Sequence, residues 1–151
     1  MSFNFSSHDL DTLSRTIYGE ARGELYTYGL APFIAVANVV VNRKNKNFAK
    51  TIHCVCMAPY QFSCWNKNDP NRDQIINITA DKCAIFRKCI AVADNVLRGN
   101  WPDLTDGCDH YHHKCLKPRW AVYLQPKRIF GSHYFYEINK ISTKGETTNE
   151  I

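Results

Sequence analysis

The sequence predicts an α+β fold with helices first and a small antiparallel sheet in the C-terminal half. Three observations point to it. Leu10, Leu13, Ile17 and Ala21 recur at helical spacing, the run Leu30 to Val41 is apolar except at Pro32 and Asn38, and turn residues alternate with β-favouring ones from Trp101 onward. A chain of 151 residues suits one compact domain, assigned to 1–142, with a polar, loose tail over 143–151.

The first helix starts near Ser7, an N-cap whose neighbours Asp9 and Asp11 favour the positive end of the helix dipole, and stops at Gly23. Residues 27–29 connect it to a second helix opened by Pro32 in its first turn. That helix is apolar nearly all round, from Phe33 to Val41, and is read as the central buried one, with Asn42, Arg43 and the run 44–47 ending it in solvent. Residues 51–75 mix Cys, Asn, Pro and aromatics without a sustained helical period and read as a loop region with short strand or turn pieces. A third helix spans 81–98 on the stripe Cys83, Phe86, Ile90, Ala93 and Leu97, closed by Gly99. Short strands are expected at Tyr111, at 120–124 and at 132–138.

With 44% hydrophobic and 22% charged residues, and only 7 Gly and 6 Pro, the composition excludes collagen-like, low-complexity and disordered classes. The twelve-residue apolar run falls short of the roughly 18 residues of a membrane span, so stable membrane insertion is not expected. The start, MSFNFSSHDLDTLSR, lacks a basic flank before an apolar core and reads as no secretory signal peptide. The net charge of +5 sits in two segments, 31–60 at +4 and 107–144 at +5. Together they suit an anionic partner: nucleic acid, an anionic membrane or an acidic wall polymer.

Seven cysteines leave at least one thiol unpaired. Cys83 and Cys89 read as buried thiols, whereas Cys54 or Cys56 with Cys64, and Cys108 with Cys115, are disulfide candidates outside the cytoplasm. His110 and His112 share a strand face and, with Cys108 or Cys115, offer metal-donor atoms. No CxxC, HExxH or finger spacing supports that, and no metal is assigned. Phosphate-loop, dinucleotide and GxSxG motifs are missing too.

Glu20 lies at the edge of the first helix's apolar stripe and near its negative end. Desolvation and the dipole both disfavour the carboxylate and raise its pKa, as an acid catalyst near neutral pH requires. The competing reading pairs Glu20 or Glu24 with Arg22 or Arg15 at the surface. Gln61, Phe62 and Ser63 supply an amide, a ring and a hydroxyl, a mixture that orients N-acetyl sugars, and His110, Tyr111 and Trp120 are further candidates to line a cleft.

The string LSRTIYGEARGE over 13–24, a buried helix ending in Asn42-Arg43, and Gln61-Phe62-Ser63 together resemble the cell-wall hydrolase family of the SleB/CwlJ spore-cortex-lytic type. GCDHYHHKCLKPRWA over 107–121 and IFGSHYFY over 129–136 resemble its later blocks, so the likeness runs from about residue 10 to 136. The chain departs from the family in its many cysteines and in Phe130 beside Gly131. The sequence also reads as carrying neither the separate wall-binding module nor the export signal of some members.

The resemblance implies a lysozyme-like, lytic-transglycosylase-like domain that cleaves peptidoglycan, with Glu20 in the catalytic position and no metal or cofactor. In that chemistry one carboxyl protonates the bond between N-acetylmuramic acid and N-acetylglucosamine. It then deprotonates the muramoyl C6 hydroxyl, which closes a 1,6-anhydro ring. Gln61 and Tyr111 are the substrate positions that match the family best. Glu24 is expected to cap or pair at the helix end, because two glutamates on one helix rarely flank a sugar from opposite sides. The alternatives are a hydrolytic muramidase, a wall amidase using the histidine cluster, and a non-enzymatic module binding nucleic acid or another anionic polymer. The implied partner is the glycan strand, without nucleic acid. Synthesis in the cytoplasm without a signal peptide implies delivery to the wall through a holin or a secretion machine, the latter with an immunity protein.

Overall fold

The computed structural model describes residues 4–139. The tail assigned to 143–151 lies outside the described residues. Helix α1 (Ser7–Ala21) begins one residue beyond its true cap, Ser6, whose hydroxyl takes the Asp9 N–H at 3.0 Å while Asp9 Oδ2 takes the Ser6 N–H at 3.0 Å. A 3-10 turn (Arg22–Glu24) and the single-turn α2 (Leu25–Tyr28) follow, then α3 (Ala31–Asn45), α4 (Ile52–Met57), α5 (Arg72–Asn77) and α6 (Ala84–Leu97). Strands β1 (His110–His113), β2 (Arg128–Phe130) and β3 (His133–Tyr136) form one antiparallel sheet in the order β1-β3-β2, with Tyr111 opposite Phe135 and His113 opposite His133. Helices therefore precede a small sheet, as the sequence predicts.

α3 is the central helix, packed against α1, α4 and α6 and reaching β2. Its Phe33, Ala35, Val36, Ala37, Val39 and Val40 are fully buried, and that burial outweighs the weak helix propensity of the valines. Its C-terminal end is not a solvated stub. Arg43 is 1% exposed, and the polar residues Asn38, Asn42, Arg43 and Lys46 form a stripe at helical spacing that holds the segment leading into β1. Asn38 Oδ1 accepts the Leu104 N–H at 3.0 Å, Asn42 Nδ2 donates to Cys108 O at 2.8 Å, and Arg43 Nε donates to Asp109 O at 2.6 Å. Sequence periodicity marks these residues as polar without showing that a loop, rather than water, receives them.

Residues 51–75 hold two short helices, α4 and α5, and no strand. α6 starts at Ala84 rather than Asp81 because Cys83 is its cap: Cys83 Sγ accepts the Phe86 N–H at 3.4 Å. The strand expected at 120–124 is instead a 3-10 turn (Arg119–Ala121), and β2 had no recognisable alternation because only three residues pair. All seven cysteines are free thiols; Cys108 is buried with its Sγ–H on Thr105 O at 3.1 Å, away from the exposed Cys115. Among the described residues no helix is long and apolar enough to cross a membrane. The two basic segments do meet, but partly as ion pairs: Lys46 and Lys127 share Glu137, at 3.6 and 2.6 Å.

Asp109, fully buried where β1 begins, fastens that end of the sheet. It takes Lys46 Nζ at 2.8 Å, His110 Nδ1 at 2.9 Å, and the N–H groups of Ile138 and Asn139 at 2.8 and 2.7 Å. Burial alone would raise its pKa, but these hydrogen bonds win and hold the carboxyl well below its usual range. Its contribution is thus present above the unfolded carboxylate pKa and lost as pH falls through the depressed one. Asp109→Ala should lower unfolding free energy in urea at pH 7 by about 3 kcal/mol, and the gap to wild type should narrow below about pH 4.

Candidate active site

Glu20 sits in the last turn of α1, half-buried at the floor of a cleft of about 200 Å³ shared with Ser63, Asp69, Asn71, Tyr111 and His133. Gly19 makes the cleft possible. A Cβ there would lie 2.6 Å from Ile75 Cδ1 and 2.8 Å from Cys64 Sγ, so only glycine lets α5 and the 3-10 turn Ser63–Trp65 close onto α1. Trp65 Nε1 donates to Thr16 Oγ1 at 2.9 Å and fixes that turn, which delivers Ser63 to the cleft.

The Glu20 carboxyl is raised to about 7. Burial is the main cause, opposed by hydrogen bonds from the Tyr111 hydroxyl and from the Cys64 thiol and backbone N–H, while nearby Asp69 adds a smaller upward push. Tyr111 Oη donates to Glu20 Oε1 at 2.7 Å across 91 residues of sequence. Both protonation states are therefore accessible at neutral pH, which suits a group that must give a proton and take one back. Neither glutamate pairs with the arginines that spacing offered: Arg15 binds Asp11 and backbone carbonyls, and Arg22 binds Asn71.

Glu24 faces the sheet. Its Oε1 takes the Ser132 N–H at 2.7 Å and lies 3.3 Å from His133 Nδ1. Burial pushes His133 down to about 4, more than Glu24 lifts it, so the imidazole is neutral at pH 7. Its ring stands edge-on to Tyr111, with centroids 5.4 Å apart.

Of the residues singled out from sequence, Glu20, Ser63 and Tyr111 converge in this cleft and Gln61, Phe62, His110 and Trp120 do not line it. Phe62 is 1% exposed and lies in the core beneath Tyr111 and Arg43. Gln61 opens on a separate depression lined by Arg43, Phe48, Val55 and Pro59, with its Oε1 held by Arg43 Nη1 at 3.2 Å. Strand alternation sends Tyr111 to the helical side of the sheet and His110 and His112 to the other, where Trp120 covers both rings. Those histidines are also occupied, His110 by Asp109 and His112 by Tyr136 Oη at 2.8 Å, and among the described residues no three His, Cys, Asp or Glu gather as metal ligands. Asp69, Asn71 and the role of His133 escaped sequence reasoning. The first two fall in the stretch 51–75, which reads only as a loop region with short strand or turn pieces, and no local pattern places them opposite α1.

A family model described as Cell Wall Hydrolase matches residues 31–136. The catalytic domain of the Bacillus cereus SleB protein is similar in fold, with a TM-score of 0.66 and 24% identity over 89% of this chain and 93% of that one. The catalytic domain of germination-specific lytic transglycosylase SleB from Bacillus anthracis gives a TM-score of 0.65 and 24% identity over 91% of this chain and 100% of that one. These likenesses establish the lysozyme-like fold. No curated protein matches the sequence. The span of the family match begins after Glu20, so the reading of that residue stands on its surroundings.

Two measurements check those surroundings. Tyr111→Phe removes a hydrogen bond that favours the carboxylate, so the Glu20 pKa should rise above 7 in a carbon-13 carboxyl titration. Because folding raises the Glu20 pKa from 4.5 to about 7, wild type should lose stability as pH climbs through that window. Glu20→Gln should then be more stable than wild type at pH 8, by up to about 3 kcal/mol in urea unfolding.

Proposed function

The chain belongs to the cell wall hydrolase family, and on that premise we propose that it cleaves peptidoglycan glycan strands as a lytic transglycosylase, with Glu20 as its single acid and base. The observation that carries the reading is a carboxyl poised at about 7 on the floor of a cleft lined by hydroxyl, amide and imidazole groups. The protonated Glu20 gives its proton to the glycosidic oxygen between N-acetylmuramic acid and N-acetylglucosamine, and the leaving sugar departs with it. As carboxylate, Glu20 takes the proton of the muramoyl C6 hydroxyl while that oxygen bonds to C1, which closes the 1,6-anhydro ring and restores the acid. Tyr111 steadies the carboxylate between the two transfers. Ser63 and Asn71 line the path of the sugar and offer hydrogen bonds to its hydroxyl and acetamido groups.

A hydrolytic muramidase is the second reading, favoured by one observation. Asp69 shares the cleft and acts electrostatically on Glu20, and a second carboxylate is what a hydrolase uses to activate water. The histidine-cluster amidase has no corresponding support, since His110 and His112 lie on the covered face of the sheet.

Digestion of purified sacculi by wild type, Glu20→Gln and Asp69→Asn, with muropeptides read by mass spectrometry, separates these readings. The expected products are anhydromuramoyl ends from wild type, a loss of about 10³-fold in Glu20→Gln and a change of less than about tenfold in Asp69→Asn. Reducing ends that vanish in Asp69→Asn would establish hydrolysis, and free peptides would establish an amidase.

A further inference from the structure

We propose that Glu24 and His133 form a substrate-orienting pair: Glu24 fixes His133 as the Nδ1–H tautomer, and the bare Nε2 accepts a hydrogen bond from a hydroxyl or amide N–H of the sugar seated over Glu20. The pair rests on the glycan-cleaving reading for its ligand. Its geometry stands separately.

The carboxylate is built into its position. Glu24 and His133 side chains are 14% and 8% exposed, and the β2–β3 turn closes directly over Glu24. That turn carries Gly131 at φ +58, where a Cβ would lie 2.7 Å from Glu24 Oε1 and 3.1 Å from Pro32 Cγ. Glycine is thus needed twice, for the left-handed backbone and for the approach of the carboxylate. Ser132 N–H then reaches Glu24 Oε1 at 2.7 Å, and the next residue, His133, brings Nδ1 to 3.3 Å from the same oxygen. Nδ1 is enclosed without a hydrogen bond as the side chains stand, and Glu24 Oε1, 3.3 Å away, is the acceptor placed to take its proton.

A lone pair on Nδ1 facing that oxygen would be repelled, whereas an N–H is attracted. The neutral ring therefore carries its one proton on Nδ1, and Nε2 is left as a pure acceptor. The ring is immobilised as well. It stands at 81° to the Tyr111 ring and at 85° to the His113 ring, each 5.4 Å away between centroids. His133 lines the cleft that holds Glu20, where the Tyr111 hydroxyl is already engaged with the carboxyl and Ser63 and Asn71 both donate and accept. An acceptor that cannot donate adds selectivity to such a site, because it rewards an amide N–H or hydroxyl and rejects a carbonyl. Glu24 touches no substrate in this arrangement; it is a positioning residue that acts through His133.

The tautomer is read directly from long-range ¹H–¹⁵N correlation spectra of the full chain. At pH 7 wild type should show His133 protonated on Nδ1 only. In Glu24→Leu the acceptor beside Nδ1 is gone and the pattern should move to Nε2–H, whereas in Glu24→Gln the amide oxygen still accepts the Ser132 N–H and faces Nδ1, so the wild-type pattern should persist, a difference that a merely structural role for Glu24 would not produce. The second measurement is calorimetric binding of a soluble GlcNAc–MurNAc tetrasaccharide to the Glu20→Gln protein, in which adding His133→Gln or Glu24→Leu should weaken binding about tenfold. An Nε2–H tautomer in wild type, or binding unchanged in both double variants, would overturn the pair. Should Glu20→Gln still cleave sacculi, the glycan-cleaving reading fails on that result, while the tautomer spectrum decides the Glu24–His133 geometry regardless.

Discussion

A guanidinium almost wholly removed from water holds the two halves of this molecule in register. Arg43 stands near the end of α3, between the rings of Phe48 and Phe62, with Nε on the Asp109 carbonyl and Nη1 on Gln61. Burial pulls its pKa down to about 10, which still leaves it charged at neutral pH, and Tyr111, Asp109 and Glu20 all act to favour that charge. A buried cation is tolerated only where its partners are fixed, so the start of β1, the turn after α4 and the central helix are tied to one another. With β1 fixed against α3, Tyr111 is directed at Glu20 from the opposite side of the cleft.

The cleft that results works against the stability of the fold it sits in. Gly19 removes a side chain so that the Cys64 turn can close on α1, and that closure desolvates Glu20. A carboxyl raised to about 7 costs folding free energy at alkaline pH and gains an acid–base group at neutral pH. The hydrogen bond from Tyr111 limits the shift: without any donor the carboxyl would remain protonated and could not serve as a base. Asp109, by contrast, is a buried carboxyl whose four donors drive its pKa down, so it holds the sheet and does not titrate near neutrality. Burial raises both carboxyls, and the kind of donor separates them: a lysine ammonium, an imidazole and two backbone N–H groups hold Asp109 down, whereas a hydroxyl, a thiol and one backbone N–H only limit the rise of Glu20.

Much of the fold is legible along the chain because the signals are local. The apolar stripe of α1, the nearly continuous apolar surface of α3 and the alternation around Tyr111 and Phe135 are each contained within one element. Helix position and stripe edge also imply desolvation of Glu20, beside a surface pairing with Arg22 or Arg15 that only the fold removes by engaging both arginines elsewhere. Where reading by neighbours fails, the cause is divergence between adjacent residues. Gln61, Phe62 and Ser63 are consecutive, yet one faces a separate depression, one enters the core and one lines the cleft. His110 and Tyr111 are separated by the sheet itself.

By itself, then, the sequence determines helices first and a small sheet last, the buried identity of α3, the family and a carboxyl at the edge of an apolar stripe. Only the tertiary structure decides what meets that carboxyl. Tyr111 is 91 residues away, Asp69 and Asn71 arrive on a turn without helical or strand period, and Glu24 finds Ser132 and His133 across 108 residues or more. The physical reason is that periodicity records which face of an element avoids water, whereas hydrogen-bond partners are set by where the chain returns. The return here is fixed by two close approaches, at Gly19 and Gly131, and by the polar stripe of α3.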